Sequence, residues 1–194
     1  MNEQLREKLL LMKAEDARVR EELAKTGELF NGYHAEMERV HLENARELEE
    51  MIDEHGWLGK SLVGEDGAEA AWLIAQHAIS LPAFSHKCLR FIEKAVAENE
   101  AEPHQFAYLH DRICFFENRP QKFGTQSDWN EDGKIEVWQL EDEAKVNKFR
   151  AEAGLKPLES LTWDNAETRE NKPKDWRRRQ IDFEAWAKKV GWRR

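Results

Sequence analysis

Cysteine, proline and glycine are all scarce in this chain: two, five and ten residues out of 194. That scarcity excludes a disulfide-stapled scaffold and a collagen-like repeat, and it argues against a turn-dense sandwich or barrel. Cys88 and Cys114 lack CxxC spacing and lie in apolar helical patterns, so they read as reduced core thiols. No apolar run approaches the roughly 18–20 residues of a membrane span, and Met1-Asn2-Glu3-Gln4 lacks the basic and apolar regions of a signal peptide. A cytoplasmic location without a membrane partner is therefore expected. HExxH, paired His/Cys spacings, GxGxxG, a Walker loop and a GxSxG elbow are missing too, so no metal, nucleotide or other cofactor is expected from motifs.

What is present is charge and helical periodicity. The chain is 40% hydrophobic and 36% charged, which suits a mainly α single-domain helical bundle. Its net charge of −9 divides unevenly: residues 163–194 carry +4 and residues 1–162 carry −13. No recognition motif accompanies the basic tail, so it is read as docking on its own acidic body, and no nucleic acid is expected as a partner. The expected organisation is a helical domain over 1–160, with a hairpin insert near 126–140, and a basic C-terminal extension over 161–194 holding one amphipathic helix.

Apolar spacing predicts helices over 3–26 and about 34–55, each closed by a glycine, Gly27 and Gly56. The stretch 55–64 reads as a glycine-rich loop, and the next helix, from Ala68 to about Ile79, has almost no polar face, as expected of a central helix. Pro82, after Ser80 as cap, opens a helix to about Glu98, and Pro103 opens another to about Asn118. Asn130-Glu131-Asp132-Gly133 suits the turn of a two-stranded ribbon. Asp142 is read as the cap of a helix ending before Gly154, and a last helix runs from about Asp175 to Val190.

Two apolar helices hold polar groups that need partners. Gln76 and His77 end the enclosed helix, while Asp111 and Arg112 interrupt the apolar run from Phe106 to Phe116. Asp111 is a candidate acceptor for His77, and Arg112 a candidate donor to an amide or a ligand anion. The same residues also suit a purely structural cluster that fixes helix packing. His55, just before Gly56, reads as helix punctuation, and His110-Asp111 alone does not imply a metal site. Of the eight tryptophans, Trp72, Trp176 and Trp186 fit core stripes, whereas the loop residues Trp57 and Trp129 suit a pocket wall.

Several motifs in order carry a resemblance: His55-Gly56-Trp57, Ser61-Leu62-Val63-Gly64, Ala70-Ala71-Trp72-Leu73-Ile74-Ala75-Gln76-His77-Ala78, Tyr108-Leu109 with Asp111-Arg112, and Gly124-Thr125-Gln126. Over about residues 1–160 the chain resembles an uncharacterised, mainly bacterial domain-of-unknown-function family, catalogued as six-six-two-four. The resemblance implies no activity. It implies recurring polar positions, here His55, Trp57, Gln76, His77, Asp111, Arg112, Gln121, Thr125 and Gln126, with departures at Leu58 and Ile79.

Two functional readings follow. In one, a small molecule binds in a pocket lined by Trp57, Gln76, Arg112, Gln121, Thr125 and Gln126, and a metal-independent acid–base enzyme uses His77 oriented by Asp111. In the other, the chain is a noncatalytic accessory or inhibitory module whose loop tryptophans and basic tail contact a protein partner.

Overall fold

The computed structural model describes residues 1–30, 32–163 and 172–194. Contacts divide the chain into two compact units, Met1–Phe106 and Ala107–Arg194, each with its own core. The fold is mainly helical, with a small antiparallel ribbon after the fifth helix and a helix near the C-terminus.

In the first unit, α1 (Glu3–Thr26) starts where Asn2 Oδ1 accepts from Leu5 N at 3.2 Å and stops at Gly27 in the left-handed region. Its buried stripe is Leu9, Met12, Asp16, Val19 and Leu23, so a carboxylate stands within an apolar seam. Helix α2 (Ala35–His55) buries Met37, Val40, Leu48, Met51 and Ile52, and among them His41 and Asn44. Each buried aliphatic side chain contributes about 1.5–3 kcal/mol, enough to hold a polar neighbour in the seam. Asn44 Nδ2 donates to the Met12 carbonyl at 3.2 Å and fixes α2 against α1.

Helix α3 (Lys60–His77) packs along α1 more extensively than any other pair of elements. Small residues make this possible: Gly67, Ala68, Ala70, Ala71 and Ala75 are all buried. A Cβ at Gly67 would already sit 2.9 Å from the Val63 side chain and 3.4 Å from that of Arg6. Residues 60–64, read from sequence as loop, belong to this helix, which bends at Gly64 (φ 76°, ψ 169°). The two helical pieces meet at the one residue type that tolerates those angles. Helix α4 (Pro82–Ala97) begins after Leu81 without a side-chain cap; Ser80, the expected cap, instead donates to Glu38 Oε1 at 2.6 Å.

Helix α5 (Pro103–Phe116) runs on into the second unit. There, β1 (Ser127–Trp129) and β2 (Ile135–Val137) pair antiparallel around the expected turn, where Asn130 Oδ1 accepts from Lys134 N at 2.9 Å. An additional strand, β3 (Thr162–Trp163), joins β2 and was not foreseen, because two residues carry no periodicity. Helix α6 (Val146–Glu152) starts three residues later than expected, with Lys145 in place of Asp142 at the cap position; Asp142 closes the preceding turn through Lys145 N. Helix α7 (Trp176–Val190) lies on the expected segment and is capped by Asp175. The part of the expected basic extension at 164–171 lies outside the described residues.

Within this unit α7 does dock on acidic groups: Arg179 pairs with Asp128 at 2.7 Å and Arg177 with Glu131 at 2.9 Å. Its apolar face packs Phe183 and Trp186 on Phe115 and Phe116 of α5, joined by Trp192. Arg193 closes the junction by donating to the Phe115 and Phe116 carbonyls in the last turn of α5, the first of which also accepts from Asn118 N.

Candidate functional site

Three helices of the first unit bring ionisable side chains to one point. Asp16 of α1 is 3% exposed, and its Oδ2 lies 2.7 Å from His77 Nδ1 of α3 and 3.1 Å from His41 Nε2 of α2. The imidazoles stand 4.9 Å apart between centroids, tilted by 41°. His41 Nδ1 meets the Tyr33 hydroxyl at 2.7 Å, and Glu38, one turn before His41, accepts from Ser80. His77 is the least buried of the three, with one-fifth of its side chain exposed.

The sequence places these groups by simple periodicity. Asp16 sits four residues after Met12 and three before Val19, on the stripe that α1 turns inward. His41 follows the buried Val40 and precedes Asn44 and Ala45 on the inner face of α2. Burial pushes the Asp16 carboxyl up, but the His41 and His77 imidazoles outweigh it and hold the group well below the usual carboxylate range. Burial, with the charge of Glu38, pushes the Tyr33 phenol up, so it stays protonated. The centre thus holds a permanent anion, two imidazoles and a neutral hydroxyl, a set suited to proton exchange or to holding a cation.

The sequence sets His77 against Asp111; within the first unit the carboxylate beside His77 is that of Asp16. Asp111, wholly buried in the second unit, accepts from the backbone N–H groups of Lys122, Phe123 and Thr125 and from the Thr125 hydroxyl, all at 3.0–3.2 Å. His110 Nδ1 also lies 3.1 Å from it. A short acceptor on α5 is what the loop after Pro120 needs, since turning backbone must satisfy its N–H groups without a ladder. Gln121, equally buried, closes the same loop: its Oε1 accepts from Gln126 N, and its Nε2 donates to the Gln126 and Trp138 carbonyls. Gln126 Nε2 donates to Thr125 Oγ1. These bonds of Gln121, Thr125 and Gln126 join their own loop to Asp111 of α5 and to the Trp138 carbonyl, all within the second unit.

Of the other expected residues, Gln76 is buried beside His77 on the last turn of α3, and Arg112 is half-buried on α5. His55 ends α2, 3.6 Å from Glu54. Trp57 is half-buried in the turn between α2 and α3, and its indole N–H is buried without a hydrogen-bond acceptor among the described residues. Asp16, Tyr33 and His41 escaped the sequence reading. The available signal was the gap at position 16 in the stripe Leu9, Met12, Val19, Leu23, which a carboxylate fills.

The family pattern that matches the chain spans residues 3–166, most of its length. The chain belongs to DUF6624, a family of unknown function. The DUF6624 match takes in Asp16, Tyr33, His41 and His77 as well as Asp111 and the loop it organises. No curated protein and no solved structure matches the chain.

Proposed function

We propose that this chain binds a small molecule at the Asp16–His41–His77 centre and performs acid–base chemistry on it. The observation that carries the reading is a buried, ionised carboxylate 2.7 Å from the imidazole of a histidine that still reaches the surface. Asp16 fixes the orientation of His77 and stabilises positive charge as it develops there, which is what a carboxylate does for a working imidazole. Tyr33 does the same for His41 from the other side. His77 marks the side from which a molecule reaches the centre.

The charge around the centre favours a neutral or cationic ligand. Asp16 and Glu38 are its carboxylates, and Arg39, the nearest cation along α2, is engaged by Glu36 and Glu43. This differs from the anionic substrate that Arg112 suggests, and the two are separable by experiment. Small esters, amides and amines, with carboxylates and phosphates as the contrasting set, are screened by thermal shift and by turnover. The expected result is a neutral or cationic hit whose turnover falls by about 10²–10⁴ in His77→Gln, with an unchanged circular dichroism spectrum. Hits that persist undiminished in folded His77→Gln and Asp16→Asn variants would place the chemistry elsewhere.

A further inference from the structure

We infer that Asp16, His41 and His77 together hold one divalent transition-metal ion. The inference rests on the reading of this centre as the functional one and names what it carries. One ligand atom from each residue, a carboxylate oxygen and two imidazole nitrogens, lies within 4.8 Å of the other two.

His41 supplies the independent observation. Its residue is more than nine-tenths buried, and its Nε2 is buried with no well-aimed hydrogen-bond partner among the described residues, although Asp16 Oδ2 is only 3.1 Å away. Neither tautomer resolves this. With its proton on Nε2, the N–H is not aimed at the carboxylate. With its proton on Nδ1, donated to Tyr33, a lone pair faces an anionic oxygen at close range. A buried polar atom in either state is costly. A cation between the nitrogen and the oxygen removes the conflict, and it assigns the tautomer: Nδ1–H donates to the Tyr33 oxygen while Nε2 binds the ion, the usual arrangement for a ligating histidine.

The spacing fits as well. Ligand atoms about 2.0–2.1 Å from a tetrahedral ion stand roughly 3.3 Å from one another. The separations of 2.7 and 3.1 Å from Asp16 Oδ2 need small outward movements, the larger of them replacing the His77–Asp16 hydrogen bond, and the two nitrogens lie within 4.8 Å of each other. Two nitrogens and one carboxylate select zinc or iron-like ions over magnesium and calcium, which prefer all-oxygen sites. Three protein ligands leave a coordination position for water, and a metal-bound water is an acid–base group in its own right.

Equilibrium dialysis of the full chain, stripped with a chelator and then exposed to zinc, tests the assignment. One zinc ion per chain is expected, and cobalt(II) in its place is expected to give visible absorption bands of a nitrogen/oxygen site. His41→Ala removes both signals, and Tyr33→Phe, which leaves all three ligands, weakens zinc binding by about tenfold. A wild-type chain that retains no ion overturns the inference, as do cobalt bands unchanged in folded Asp16→Asn and His41→Ala. If those variants do not fold, the wild-type stoichiometry and spectrum decide. None of these readouts needs a substrate. An ion retained by a chain without turnover keeps the metal site and removes the functional reading, while His77-dependent turnover in a stripped, ion-free chain does the reverse.

Discussion

Asp16 and Asp111 are both buried carboxylates, and their partners give them different work. Asp111 has the Thr125 hydroxyl and the His110 imidazole beside it, but three backbone N–H groups hold it, and these cannot move without unmaking the loop from Lys122 to Thr125. Asp16 faces imidazoles, which can gain or lose a proton or turn toward a ion. The sequence made Asp111 conspicuous because it interrupts an apolar run, whereas Asp16 lies in a helix rich in acidic residues and is marked only by phase. Next to Asp111, His110 offers a test of the electrostatics. Burial lowers its pKa, but the hydrogen bonds to Asp111 and Cys114 and the neighbouring negative charge prevail and push it up to about 9. The folded protein thus binds this proton more tightly than the unfolded chain, whose histidine titrates near 6.5. The stabilisation is fully present below pH 6.5 and is lost as pH rises through 9, a loss on the order of 2 kcal/mol for a side chain that is still partly solvated. Urea denaturation between pH 6 and 10 should show that slope, and His110→Gln should flatten it.

At the level of elements, most helix bounds were readable, and the starts of α3 and α6 were not. The apolar phase of α1, α2 and α7 and their caps at Asn2, Gly27 and Asp175 are local properties. The start of α3 is not local. Gly59 and Gly64 so close together suggest a loop, yet the segment is helical on both sides of Gly64 because packing on α1 compensates for poor propensity. The backbone at Gly64 lies in a region open essentially to glycine alone, and a Cβ there would also meet Met1 Sδ at 3.2 Å and Asp66 Oδ1 at 3.3 Å. Gly64→Ala should therefore cost about 1–3 kcal/mol, read as a lower denaturation midpoint. An unchanged midpoint would mean that the bend is not a fixed feature of α3.

On the scale of the whole chain, the family pattern ends at residue 166 and α7 lies beyond it, yet α7 supplies much of the second unit's aromatic packing. Phe116 stacks on Trp192 at 5.3 Å, and Phe115 lies 5.5 Å from Phe183. Removing residues 172–194 should expose Phe115 and Phe116 and cost at least the 3–5 kcal/mol typical of one large buried aromatic, seen as a lower unfolding midpoint and increased binding of an apolar dye. A truncated chain of unchanged stability would make α7 an independent appendage. No helix among the described residues is long and apolar enough to cross a membrane, in keeping with the absence of long apolar runs. Helical content, the site of the ribbon turn and the two polar interruptions were set by the sequence itself, since each depends on neighbours within a few positions of one another. Which carboxylate meets His77 was decided only by the tertiary structure: Asp16 is 61 residues away from it along the chain, and that meeting depends on how closely α1 can approach the alanine- and glycine-lined face of α3.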